Sequence, residues 1–234
     1  MSEPAFHDTL PGGPAHEWRA ERHAVMEAAQ AMYRHGLVVA TSGNVSMRVE
    51  AKDGSPLLAV TASGKDYERL TLEQIVVVDL EGEPVVGDAL PSTETMMHAA
   101  IYVARPDVNA VMHTHSTYAS SLAVAGLAIP PLIDEMVVAV GPSVEVSAYT
   151  FPGTEELGGA VVEALGERNA ALIRNHGLVG VGRTLADALK VCDSVERFAH
   201  IFTVARALGA ANPLPAEAVK TETELFRMRQ QAGS

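Results

Sequence analysis

Apolar positions along this chain alternate between two periods, near 3.6 and near 2, and the switches mark its elements. Between His16 and His35, Trp18, Val25, Met26, Ala29, Met32 and Tyr33 recur at intervals of three and four, predicting a core-packing helix that Gly36 can stop. The run Leu37-Val38-Val39-Ala40 predicts a strand, broken by Thr41-Ser42-Gly43-Asn44 before alternation resumes through Val45-Ser46-Met47-Arg48. Short strands are predicted over Leu57 to Val60 and Ile75 to Leu80, with a helical turn from Leu70. Pro91-Ser92-Thr93-Glu94-Thr95 opens a hydroxyl-capped helix with Glu94 in its first turn.

A strand follows over Val108 to His115, then a helix over Thr117 to Ala125. Val137-Val138-Ala139-Val140 and Val144 to Tyr149 read as strands separated by Gly141-Pro142, and Thr154 caps a helix running to about Glu167. Ala170 to Gly182 reads as an apolar strand ending in His176, followed by glycine. Thr184 then caps a long helix to about Leu208 with a wide apolar face. Asn212-Pro213-Leu214-Pro215 breaks it before a charged tail helix over Ala216 to Gln230. Strands joined by short turns and outnumbering the helices predict an α/β fold with a mixed, largely antiparallel sheet covered by helices. The expected organisation is a flexible leader over 1–14, one domain over 15–212, and a tail helix with freedom to move within 213–234.

The 234 residues and 47% hydrophobic content suit one packed domain. A formal charge of −12 argues against nucleic-acid binding, which relies on clustered Lys and Arg. Any anionic ligand must then be held locally, by backbone amides, hydroxyls or a metal. The single Cys192 excludes an intrachain disulfide framework, fits a reducing compartment and reads as a small buried apolar residue. Met1 to Leu10 shows no secretory signal, and no run approaches the roughly 20 apolar residues of a membrane span. The expected location is the cytoplasm.

His113 and His115, two apart on a strand, present both imidazoles to one face, as a chelate requires. His176 ends a second apolar run in the same manner, and three histidines form a ligand set of the kind catalytic zinc prefers, with an open position left over. Glu94 is favoured by the helix dipole and can serve the same centre. His98, one turn on, reads as a hydrogen-bonded structural histidine rather than a ligand. Thr41-Ser42-Gly43-Asn44 and Thr61-Ala62-Ser63-Gly64 each place small hydroxyl residues around a glycine after a strand, an arrangement that can turn amides to an anion or form a plain turn.

Ser42-Gly43-Asn44-Val45-Ser46, Thr61-Ala62-Ser63-Gly64, Pro91-Ser92-Thr93-Glu94, His113-Thr114-His115 and Asn175-His176-Gly177-Leu178 occur in the order and spacing of the class II aldolase/adducin family. The chain resembles that family, in particular its fuculose-phosphate aldolase branch, from about residue 16 to 212. The resemblance implies a three-layer α/β/α domain, a homotetramer with sites between subunits, and metal-dependent retro-aldol cleavage of a ketose 1-phosphate of the fuculose or 5-deoxypentulose type. His113, His115 and His176 match the family's zinc ligands, with Mn2+ or Co2+ as other ions. Glu94 matches the carboxylate that completes the metal shell and acts as base. Asn44, Ser63, Gly64, Ser92 and Thr93 match the phosphate-binding positions, with Thr41, Ser42 and Gly43 beside them.

The chain also departs from the pattern. Glu135, in Ile133-Asp134-Glu135-Met136, stands where the fuculose-type enzymes carry an acid tyrosine, and no tyrosine follows Pro215 to match their C-terminal one. Glu135, Phe151 and the tail are the candidates for shaping the aldehyde side. A methylthioribulose-1-phosphate dehydratase is the alternative reading, whereas Glu94 disfavours the epimerases, which carry aspartate there. A non-catalytic adducin-like binding module is a distant third, because all three histidines are retained.

Overall fold

The structure, a computed structural model, describes residues 17–232, so the leader expected over 1–14 lies outside the described residues. The helices are α1 (Arg19–Arg34), α2 (Thr95–Ala104), α3 (Thr117–Ala125), α4 (Asp134–Val140), α5 (Glu155–Leu165), α6 (Leu185–Ala207) and α7 (Ala216–Ala232). The strands are β1 (Asn44–Glu50), β2 (Pro56–Thr61), β3 (Ile75–Val78), β4 (Pro84–Val86), β5 (Ala110–Thr114), β6 (Glu145–Val146), β7 (Ala170–Ile173) and β8 (Gly177–Gly182). They form one sheet in the order β4-β3-β2-β1-β5-β8-β7-β6, antiparallel throughout except for the β6–β7 pair.

Strand alternation builds the three layers. Leu57 and Ala59 of β2, Ile75 and Val77 of β3, and Ala110 and Met112 of β5 join one core with α1, α3, α4 and α6. Their neighbours Leu58, Val60, Val76, Val78 and Val111 join a second core with Met97, Ile101 and Tyr102 of α2 and Leu157, Val161 and Leu165 of α5. A sheet buried on both faces explains why these strands are nearly continuous apolar runs. His113 lies two residues beyond Val111 and so falls on the α2 side of β5, facing the start of that helix.

Four expectations change. The run Val137–Val140 is helical, not extended: it forms most of α4, opened by Asp134 and Glu135 in the first turn, with Met136, Val137 and Val140 buried together. Four consecutive apolar residues fit either period, and the buried neighbours on α6 decided for the helix. Leu37 to Ala40 is not a strand. Its chain turns at Ala40, in the left-handed region at φ 55°, and the Leu37 carbonyl accepts from the His115 N–H at 3.1 Å, covering the end of β5. Of Val144 to Tyr149 only Glu145–Val146 pairs as strand. Finally, Ala170 to Gly182 is a hairpin of β7 and β8, with His176 in its turn rather than at a strand end, and Asn175 at φ 56° closing that turn. The 3-residue β4 was not foreseen. The tail helix α7 rests on α4, with Phe226 3% exposed.

Cys192 is fully buried on α6, as expected of a small apolar residue, and burial pushes its thiol up. No helix among the described residues is long and apolar enough to cross a membrane.

Candidate active site

The two strands that carry histidines are held in register beside β1: Asn44 pairs with His113, and His113 in turn with Val179. That register places Asn44, His113 and the β7–β8 turn at one end of the sheet. The three imidazoles meet there edge to face, with ring centroids 4.7–4.8 Å apart and one nitrogen from each within 4.8 Å of the others. His113 Nε2 and His115 Nε2 approach to 2.9 Å. His113 donates its Nδ1 hydrogen to the Leu178 carbonyl at 2.9 Å, which fixes the tautomer and leaves the Nε2 lone pair facing inward.

Glu94 occupies the N-cap position of α2, one residue ahead of its expected place in the first turn, and makes no side-chain cap. The carboxylate turns to the histidines instead. Oε2 lies 3.2 Å from His113 Nε2 and Oε1 lies 3.3 Å from His176 Nε2, while Asn44 Nδ2 donates to Oε2 at 2.8 Å. The Glu94 N–H donates to Ser92 Oγ at 3.3 Å, so the hydroxyl that caps nothing in the helix still steadies its entry.

Charge follows burial here. Burial by itself would raise the Glu94 carboxyl, yet the facing His113 and His176 rings, the Asn44 hydrogen bond and nearby His98 outweigh it and hold the group below the ordinary carboxylate value. Burial, backed by repulsion from His113 and His176, pushes His115 down to about 3, and His176 is lowered by burial and His113. Both rings are therefore neutral at neutral pH and offer lone pairs. Three imidazoles converging beside a carboxylate, with Glu94 Oε1 buried and lacking a hydrogen-bond donor among the described residues, fit a divalent metal ion.

In front of the histidines is a cavity of about 240 Å³. All eight residues marked for an anion line it: Thr41, Ser42, Gly43, Asn44, Ser63, Gly64, Ser92 and Thr93, together with Glu94, His115, His176 and Pro152. The two Ser/Gly segments converge through the backbone. Ala62 bridges Pro91, Ser63 N–H donates to the Leu90 carbonyl at 2.9 Å, and Ser92 N–H donates to the Thr61 carbonyl at 3.1 Å. Gly43 sits at φ 76°, and a Cβ there would lie 2.5 Å from the His113 carbonyl oxygen. Gly43→Ala should therefore lose about 2 kcal/mol or more of stability, read as a lower urea midpoint; an unchanged midpoint would show that the loop relaxes freely.

The aldehyde-side candidates are placed differently. Phe151 is 72% exposed and adjoins Pro152 at the cavity wall. Glu135 is on α4, ion-paired with Arg197 of α6, and does not line the cavity.

Sequence reasoning missed the support behind the site. Ser46 Oγ joins His98 Nδ1 at 2.6 Å and the Tyr102 hydroxyl at 2.9 Å, confirming His98 as a hydrogen-bonded core residue. Tyr67, in a 3₁₀ turn after β2, reaches the Gly43 carbonyl. Period-2 spacing of Ser46 with Asn44 was the available signal for the first; for Tyr67 it was one aromatic in the polar run Asp66-Tyr67-Glu68-Arg69.

Burial pushes His98 down to about 3 as well. Since the unfolded values of His98 and His115 lie near 6.5, the unfolded chain takes up these protons first as pH falls. Stability of the metal-free protein is thus complete above about pH 6.5 and is lost progressively towards about pH 3. Urea midpoints should decline steadily below about pH 6.5, and a flat profile down to about pH 5 would contradict the assigned burial of these rings.

A family model described as the Class II Aldolase and Adducin N-terminal domain matches residues 23–203. The 5-deoxy-D-ribulose 1-phosphate aldolase of Bacillus thuringiensis is 32% identical over 206 residues, covering 88% of this chain and 95% of the relative. The 5-methylthioribulose-1-phosphate/5-deoxyribulose-1-phosphate aldolase of Rhodospirillum rubrum is 37% identical, covering 89% and 91%. A solved structure of an L-fuculose 1-phosphate aldolase matches with a TM-score of 0.83 at 31% identity, covering 89% of this chain and 96% of that one. On its histidine and glutamate centre, its fold and these matches, the chain belongs to the class II aldolase and adducin family.

Proposed function

We propose that this protein is a metal-dependent aldolase that cleaves a ketose 1-phosphate, of the 5-deoxypentulose or fuculose type, to dihydroxyacetone phosphate and an aldehyde. The observation that carries the reading is Glu94. Its carboxylate touches two of three converging histidines at the base of a cavity lined with hydroxyls and glycines.

Thr41 to Asn44, Ser63, Gly64, Ser92 and Thr93 hold the substrate phosphate, supplying hydroxyl and amide donors without net positive charge, which suits an acidic chain. This anchoring sets C2 and C3 of the sugar over the histidines. His113, His115 and His176, with Glu94 beside them, would hold a divalent ion such as Zn2+, which would supply Lewis-acid stabilisation of the charge that develops as the C3–C4 bond breaks. Cleavage releases one proton from the C4 hydroxyl, to water, as the C4 carbonyl forms, and adds one proton to C3; Glu94 handles the second, passing to C3 a proton it takes up from water and removing it in the condensation direction. Asn44, bonded to Oε2, keeps the carboxylate aimed while Oε1 remains free to move a proton. No lysine lines the cavity, so a Schiff base has no candidate there.

Phe151, exposed beside Pro152, forms the aldehyde side, where an apolar surface suits a deoxygenated tail. Glu135 does not line the cavity of its own chain and reaches an aldehyde only across a subunit contact. A homotetramer supplies that contact; Val39 at 77%, Leu90 at 79% and Phe151 flank cavity residues and are the apolar surface it would cover. The lone buried cysteine supports a cytoplasmic location. A product assay on a panel of ketose 1-phosphates tests the reading: aldehyde plus dihydroxyacetone phosphate is expected, while a diketo phosphate formed with loss of water would make it a dehydratase.

A further inference from the structure

The anion-binding loop at 41–43 has few anchors of its own. Ser42 N–H donates to the Val39 carbonyl at 3.2 Å, its hydroxyl donates to the same carbonyl at 2.8 Å, and Val39 N–H donates to that hydroxyl at 3.3 Å, all between residues three apart. The loop's exit is different. The Gly43 carbonyl accepts from the hydroxyl of Tyr67, a side chain 24 residues away, and the next amide but one, Val45 N–H, donates to Thr61 Oγ1 at 3.2 Å. Tyr67 is 2% exposed, with its ring packed in the core beside α1 and its hydroxyl meeting the Gly43 carbonyl and the Thr61 side chain. On the other side of Gly43 stand the His113 carbonyl oxygen and Val38, each too close to admit a Cβ.

We infer that Tyr67 is a positioning residue for the phosphate-binding loop, fixing the Gly43 carbonyl so that Thr41, Ser42 and Gly43 face the substrate phosphate in one preset arrangement. A donor set that is ordered before binding loses less freedom when phosphate arrives, and this appears as affinity rather than as rate. The inference rests on the proposed phosphate-binding role of the loop. The phenol keeps its proton through the neutral range, because burial, aided by the nearby Glu94 carboxylate, raises it to about 12. Its contribution is therefore independent of pH there.

The test is Tyr67→Phe in the full, metal-loaded protein, a change that keeps the ring in the core and removes one hydroxyl. The expected result is a rise of about tenfold in KM for the ketose 1-phosphate and in the dissociation constant of inorganic phosphate measured calorimetrically. The kcat should stay within about twofold, with metal content unchanged and the same effect at each neutral pH. Unchanged phosphate affinity overturns the inference, and so does a fall in kcat at constant KM, which would place the effect on Glu94 through Asn44. If the wild type turns over no ketose 1-phosphate but Tyr67→Phe still weakens phosphate binding, the proposed reaction fails and the positioning role stands. A wild type that binds no phosphate removes both.

Discussion

Replacing Glu94 by glutamine leaves a folded, metal-loaded protein whose turnover falls by about 10²- to 10⁴-fold, the range for loss of a positioned general base. Glutamine preserves the shape, and its amide can still meet Asn44 and the histidines, so the cavity is kept. What disappears is the proton acceptor: a carboxylate held below its ordinary value by His113, His176 and Asn44 becomes a group that cannot exchange a proton. KM should change little, because the segments proposed to hold the phosphate around the cavity are untouched. Steady-state kinetics together with metal analysis check this, and an enzyme retaining more than about a tenth of wild-type kcat would remove Glu94 from the proton-transfer role.

Replacing His176 by alanine has a different signature, because metal and activity go together. Three imidazoles and one carboxylate leave little redundancy, and losing one ligand lowers affinity by well over about 100-fold, so dialysed protein should carry almost no divalent ion. The hairpin itself should survive. His176 is in the turn, its side chain is partly open, and the strands on either side are held by the β7–β8 ladder and by the β5–β8 ladder. Far-ultraviolet circular dichroism should match the wild type. A His176→Ala protein with full metal occupancy and turnover would show that the centre does not use this ring.

The contrast between the two variants reflects how much of the centre could be read in advance. His113 and His115 were legible because strand side chains repeat every two residues, a purely local rule. Glu94 was legible as a helix-start carboxylate, although that rule gave it a dipole role and the fold turned it towards the histidines. His176 was found as a residue, but its turn was not, because Ala170 to Gly182 is apolar on both sides of Asn175-His176 and reads as one run. The same ambiguity made Val137 to Val140 look extended when α6 and α7 supply the neighbours for a helix. Convergence of the two Ser/Gly segments depends on the Ala62–Pro91 bridge, a contact 29 residues apart that no local pattern encodes. Tyr67 and Ser46 act through contacts of the same long range, which is why the supporting shell emerged only with the fold.

The central claim is that the three histidines hold a divalent ion on which carbon–carbon cleavage depends. The direct measurement is dihydroxyacetone phosphate release from 5-deoxyribulose 1-phosphate by protein stripped of metal and then titrated with Zn2+. Release should be absent at first and rise linearly to a plateau at about one ion per chain. Full release by the stripped protein, before any ion is added, would contradict the account.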